Sequence, residues 1–228
     1  MTLKKDNALL DIQSDLESLA NLALEQMDLL KTIINSAEME ISKDVLKQIE
    51  KNEKDIDKKE VKLSNKIVNT IVLYQPVASD LRRIIASYRI ILNLERISDL
   101  VVSITNYYKK IETPDAFSKM LDLINNMTAT STEMVRKALL SFINNDKEYA
   151  IWTIKNDIVF DEYNHKLLKK IFAKIDTTEC DKQLLVSIIH IKEIMSNIER
   201  IADHSTNIAE AAIYSIEGKD IRHHKLDN

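Results

Sequence analysis

Eight acidic residues of the chain form four pairs of the pattern acid-x-x-x-Asp: Glu53 and Asp57, Glu95 and Asp99, Asp157 and Asp161, Glu199 and Asp203. On a helix, residues four apart share a face, so each pair aims two carboxylates in one direction. Carboxylates brought together repel by about 1–4 kcal/mol per close pair at surface-like dielectrics. Cations, protons or neighbouring arginines must offset that, and Arg96 and Arg200 directly follow Glu95 and Glu199. A cluster of oxygen donors suits a hard cation such as magnesium, calcium, manganese or iron, whereas zinc ordinarily takes more nitrogen or sulfur.

A single such pair in a charge-rich helix is better explained by solvation or an ion pair along the helix. The spacing argues for more. The first pair lies 42 residues before the second, and the third lies 42 before the fourth. At an offset of 104 residues, Lys51, Asn52 and Asp57 recur as Lys155, Asn156 and Asp161. At the same offset Asn93, Glu95, Arg96, Ile97 and Asp99 recur as Asn197, Glu199, Arg200, Ile201 and Asp203, the mark of an internal duplication. Glu53 with Asp99, and Asp57 with Glu95, are both centred on residue 76, which is a proline; the equivalent pairs of the second half are centred on residue 180. In an antiparallel helical hairpin, residues equidistant from the turn lie level, so each hairpin is expected to carry two opposed acid pairs.

The elements that must position these groups follow from periodicity and punctuation. One Gly and two Pro in 228 residues leave little material for tight turns and predict an all-α protein. Leu9, Leu16, Leu19, Ala20, Ala23, Met27, Leu30 and Ile34 step by threes and fours, predicting a long first helix. Ser42 is placed to cap a second helix running to Tyr74, where Pro76 stops it. Ser79 or Asp80 would cap a third, ending near Lys110. Thr113-Pro114 would start a fourth, ending at Asn144-Asn145; Asp146 would cap a fifth; a turn near 176–180, with Thr178 and Asp181 as a capping box, precedes a sixth ending at Gly218. The expected architecture is two tandem three-helix bundles of six long helices, with residues 1–112 and 113–228 as the repeats.

Composition removes several function classes. The lone Gly218 rules out a glycine-rich phosphate loop or dinucleotide fingerprint. A net charge of −4 argues against a nucleic-acid binder. Cys180 is the single cysteine, the N-terminal stretch lacks the apolar core of a signal peptide, and no apolar run approaches the about 20 residues of a membrane helix. The expected setting is cytoplasmic, peripheral to a membrane at most. A ferritin-type di-metal oxidase would need two Glu-x-x-His motifs, a pair this sequence lacks. No nucleophile–base pair is visible, so the chain reads as a non-enzyme. His165, His190, Trp152, Phe160, Tyr163 and Phe172 read as packing or surface residues, Cys180 as incidental, and His223-His224 as tail.

The segments QPVASDLR (Gln75 to Arg82) and LERISD (Leu94 to Asp99), followed by IERIADHSTNIAE (Ile198 to Glu210) and EGKDIRH (Glu217 to His223), resemble the two repeats and the ending of the PhoU family. The resemblance covers nearly the whole chain. It implies an all-α regulator, commonly dimeric, of phosphate uptake and phosphate-starvation signalling, which keeps a sensor histidine kinase from switching on the phosphate regulon. It also implies restraint of the phosphate ABC transporter through its ATPase subunit. Metal clusters at the acid-x-x-x-Asp motifs would fall on the eight acids named above, with iron, zinc, manganese, magnesium or calcium as the metal. His204, Asn207 and Glu210 are possible further ligands of the second site, and Arg96 and Arg200 would support the carboxylates. Leu100 replaces the second repeat's His204, so the first site is expected to be the poorer one. The alternative is a metal-dependent phosphate-binding or buffering module that touches no kinase. A domain fused to a sodium–phosphate carrier is disfavoured by Met1 and by the missing membrane span.

Overall fold

In a computed structural model, residues 2–36, 38, 40–172 and 182–222 are described, without the side chains of 2, 158, 159, 162–168 and 170–172. They form seven helices and no strand: α1 Thr2–Ser36, α2 Lys43–Tyr74, α3 Ala78–Tyr108, α4 Pro114–Ser118, α5 Leu121–Asn144, α6 Lys147–Phe172 and α7 Lys182–Glu217. The expected turn near 176–180, with Thr178, Cys180 and Asp181, falls outside the described residues. So do His223-His224 and the side chains of Tyr163, His165 and Phe172.

The stops and starts have local causes. Ser42 caps α2 through the amide of Asp44 (3.3 Å). Asp146 accepts from the amide of Glu148 (2.9 Å) at the start of α6. Asn145 ends α5 in the left-handed region, at φ 53, which asparagine tolerates. Gly218, at φ 72, ends α7 with its amide donating to the carbonyl of Tyr214 (3.0 Å).

The third cap differs from expectation. Gln75 (φ 45) and Ala78 (φ 50) both turn left-handed around Pro76, so the helix resumes at Ala78. Ser79 and Asp80 then lie inside the first turn, Val77 holds the cap position without a side-chain bond, and Asp80 pairs with Lys5 instead. The expected fourth helix is also broken. It stops after Ser118, and α5 begins only at Leu121. Phe117 and Met120 are both buried, and Phe117 meets Tyr108 edge-on at 5.0 Å. The ring contact holds Phe117 at Tyr108, near the end of α3, while α4 itself packs on α7. Thr113 makes no side-chain cap; its amide and that of Glu112 donate to Ser187 Oγ of α7, each at 3.0 Å.

Helices α1 to α3 pack as one three-helix unit and α5 to α7 as another, joined through α3 against α7 and, more lightly, α1 against α5. Rising numbers on α3 meet falling numbers on α7: Arg82 lies at Gly218, Arg89 at Tyr214, and Asn93 at His204 and Asn207. The central pair is therefore antiparallel. On these two helices Ile90, Ile91, Leu94, Ile97, Val101, Ile194, Ile198 and Ile201 have no exposure and belong to one continuous core. Each contributes about 1.5–3 kcal/mol of burial free energy.

One end of the molecule is left uncovered. The residues from Ile67 to Ser79 carry no charge, and Val68, Val72, Leu73 and Val77 stand 54–72% exposed across the α2–α3 turn.

Candidate metal centre

The α2–α3 hairpin brings the two strings of acids level. One carboxylate oxygen from each of Glu53, Asp57 and Asp99 lies within 4.8 Å of the others, all half-buried. Glu53 and Asp57 come from successive turns of α2 and Asp99 from α3, so hairpin register alone makes the cluster. Burial and the neighbouring carboxylates Asp57 and Asp99 raise the Glu53 pKa above the ordinary value. Burial and Asp57 do the same to Asp99, against the pull of Arg96. Glu95, one turn before Asp99, is raised by burial and then by Asp99, with Asp57 contributing from across the hairpin.

Arg96 lies along the outside. Its Nε is 3.4 Å from Glu95 and its Nη1 3.8 Å from Asp99, with the side chain 63% exposed. It therefore offsets only part of the repulsion, because exposed pairs of this kind contribute little. One buried oxygen of Asp57 has no hydrogen-bond partner in the protein.

In the second half, Asp157 is strongly perturbed. Burial pushes its pKa up to about 6; Asp161, Asp203 and Glu210 add to the rise, and the nearby Thr206 hydroxyl opposes it. One of its oxygens is likewise buried without a partner. Asp203 is raised by burial and by Asp161, with Arg200 opposing. Asp161 and Glu199 both take part in interactions within the fold. The carboxylates of α6 and α7 thus feel one another across their hairpin, while convergence of three ligand oxygens occurs, among the described residues, in the first half.

Two residues expected beside the second cluster reach elsewhere. His204 Nδ1 lies 2.8 Å from Asn93 Oδ1, and Asn207 donates to the same oxygen at 3.3 Å. An amide oxygen only accepts, so the imidazole carries its proton on Nδ1. Asn93 completes its own amide by donating to the Arg89 carbonyl (2.8 Å). Burial lowers the His204 pKa, and Arg200 and Arg96 lower it further. Both arginines therefore bear on one side chain at the α3–α7 junction. Glu210 adds its charge to the second cluster, through Asp157.

Sequence reasoning missed Asn93 and Thr206. The first was readable: it recurs as Asn197, two residues before the acid of the duplicated motif, and the repeat marked it without assigning it a role. Thr206 carried no such signal.

The donor set fits a hard cation. It offers carboxylate oxygens, several held above their ordinary pKa by burial and mutual repulsion, and includes orphaned buried oxygens on Asp57 and Asp157. A di- or trivalent ion would supply the missing charge and partner in one step.

The fold and site together define a class: a duplicated helical-hairpin protein with an acidic seam in each half. Comparison with known proteins agrees. The model of the PhoU domain matches residues 16–107 and 124–212. The chain belongs to the PhoU family. It is 30% identical over 208 residues to a "Phosphate-specific transport system accessory protein PhoU homolog" of Aquifex aeolicus, covering 91% of this chain and 90% of the relative. A protein of the same description from Burkholderia sp is 28% identical over 215 residues, covering 92% and 90%. The crystal structure of PhoU from Pseudomonas aeruginosa superposes with a TM-score of 0.81 at 24% identity, covering 94% of this chain and 99% of that one. That of the phosphate transport system regulatory protein PhoU from Streptococcus pneumoniae gives 0.78 at 20% identity, covering 95% and 98%.

Proposed function

We propose that this chain regulates phosphate transport and phosphate-starvation signalling, as a metal-bearing adaptor and not as an enzyme. The observation that carries the reading is the convergence of Glu53, Asp57 and Asp99 across a hairpin, within a family whose relatives are described as accessory to phosphate transport. The acids of both seams would hold divalent or ferric ions: Glu53, Asp57, Glu95 and Asp99 in one, Asp157, Asp161, Glu199 and Asp203 in the other. Bound metal would fix the angle of each hairpin by bridging its two helices. The rigid bundle would then present its surface to a phosphate-responsive sensor kinase and to the ATPase subunit of the phosphate transporter, in the cytoplasm and as a homodimer. The uncharged, exposed turn from Ile67 to Ser79 supports docking, because an apolar surface of that kind marks an interaction site.

A phosphate-starvation reporter in phosphate-rich medium tests the reading. Deleting the gene should switch the reporter on, and restoring it should silence the reporter. A reporter that stays silent after deletion refutes regulation in that host. The orphaned carboxylate oxygens favour a second reading, in which bound metal recruits phosphate and the chain buffers it without kinase contact. Phosphate affinity that disappears with a chelator would select it.

A further inference from the structure

Between the start of α3 and the ends of α5 and α7 lies a cleft of about 230 Å³, lined by Ser79, Arg83, Asn145, Ser215 and Ile216. It is remote from the acidic seams: Arg83 stands twelve residues before Glu95, about 18 Å along the helix. Every polar lining residue can donate a hydrogen bond. Ser79 and Ser215 bring hydroxyls, Asn145 an amide, and Arg83 a guanidinium with five N–H groups.

The guanidinium is poorly compensated. It donates to two neutral oxygens, Asn145 Oδ1 at 2.7 Å and Gln13 Oε1 at 3.4 Å, and it lies 4.8 Å over the Phe142 ring. Burial lowers its pKa, and the carboxylate that acts on it, Glu17, is itself engaged by Gln13. Desolvating a cation without a contacting carboxylate is costly. A second guanidinium stands close by: Arg82 packs against Gly218 at the end of α7 and has a buried Nε with no hydrogen-bond partner. Of the nearby acids, Asp80 is engaged by Lys5, Glu217 by Lys147, and Asp220 by Arg222 and Arg89, while Asp146 caps the start of α6. The cleft thus gathers donors and positive charge, and none of its lining residues is acidic.

The geometry points to a binding site for a small tetrahedral oxyanion of the phosphate class, held by Arg83 together with Ser79, Asn145 and Ser215. Planar guanidinium donors match two oxygens of such an ion, and the hydroxyls serve the others. This site needs no metal, which separates it from the phosphate-buffering reading of the acidic seams.

The test is calorimetric titration of the full-length protein with inorganic phosphate in EDTA, with sulfate as competitor. Saturable binding is expected, displaced by sulfate, which offers the same acceptor oxygens. Arg83→Met should weaken it about tenfold or more, and Ser79→Ala and Ser215→Ala about two- to tenfold each. Far-UV circular dichroism checks the fold of each variant; if Arg83→Met does not fold, the two serine variants decide. Absence of saturable binding at millimolar phosphate overturns the site. So does undiminished binding in folded Arg83→Met, or in both serine variants. Binding that appears only when metal is restored also overturns it, while supporting phosphate recruitment at the acidic seams.

Discussion

Replacing Asp157 by asparagine should stabilise the metal-free protein, although most substitutions at partly buried sites destabilise. The Asp157 carboxyl rises from the ordinary 3.8 to about 6, first through burial and then through Asp161 and Asp203. A difference of roughly two pKa units corresponds to about 3 kcal/mol between its protonated and ionised forms, an upper bound because solvent screens a partly exposed carboxyl. Because the folded-state pKa is above the unfolded value, the fold binds the proton more tightly. The stability this provides is present in acid and is lost as pH rises through about 6. The side chain introduced by Asp157→Asn would be neutral throughout, removing that penalty at pH 7.5 but burying an imperfectly paired amide, at a cost of about 1–2 kcal/mol. The net gain is at most about 1–2 kcal/mol at pH 7.5 in EDTA, and it should turn into a small loss near pH 4, where the native carboxyl is itself protonated and only the cost of the amide remains. Urea unfolding followed by circular dichroism at both pH values measures it. Adding manganese should reverse the ranking, because an ion that binds the native seam stabilises the Asp157 protein more. A variant no more stable than the native protein at pH 7.5, or one whose gain persists at pH 4, would refute the reasoning.

Asp99→Asn should reduce the metal retained by protein purified without chelator, since Asp99 is the α3 member of the converging triad; elemental analysis per chain reads this directly. Asn93→Ala leaves His204 and Asn207 without their shared acceptor and should cost about 1–3 kcal/mol in thermal unfolding, without changing the first seam's metal content. Gly218→Ala should cost about 1–2 kcal/mol in urea, because φ is +72 and an added Cβ would sit 3.3 Å from Arg82 Nε.

The helices were legible because their signals are local. A proline at residue 76, asparagines at 144 and 145 and the lone glycine at 218 sit at helix ends, and Ser42 and Asp146 supply caps. Failures came where tertiary contacts intervene. Thr113-Pro114 starts a helix, but burial of Phe117 and Met120 ends it five residues later. Ser79 and Asp80 have cap chemistry, but two left-handed residues around Pro76 advance the helix start past them. Levelling the acids about residue 76 gives the register that joins Glu53, Asp57 and Asp99, because an antiparallel hairpin with a short turn has little freedom to slip. What register cannot supply is the packing of one hairpin on the other, and that packing sends His204 and Asn207 to Asn93.

Duplication gives the two halves matched backbones, but residues at one pair of positions make them unequal. Asn93 and Asn197 are equivalent, as are Leu100 and His204. The antiparallel packing of α3 on α7 sets Asn93 against the second repeat's His204 and Asn207. Asn93 and His204 close a polar bridge at 2.8 Å. The first repeat has Leu100, 4% exposed, at the equivalent position, and Asn197 satisfies itself locally, donating to the Glu193 carbonyl and accepting from Arg200 at 3.4 Å. The divergence therefore assigns the halves different work. His204 ties the second repeat to the first, and Arg200 is shared between Asn197 and the field of Asp203. In the first repeat Arg96 lies along Glu95 and Asp99, in the half where three ligand oxygens converge. A ligand count along the sequence ranks the second seam as richer, but a ligand committed to a bridge across the junction is not free for its own seam.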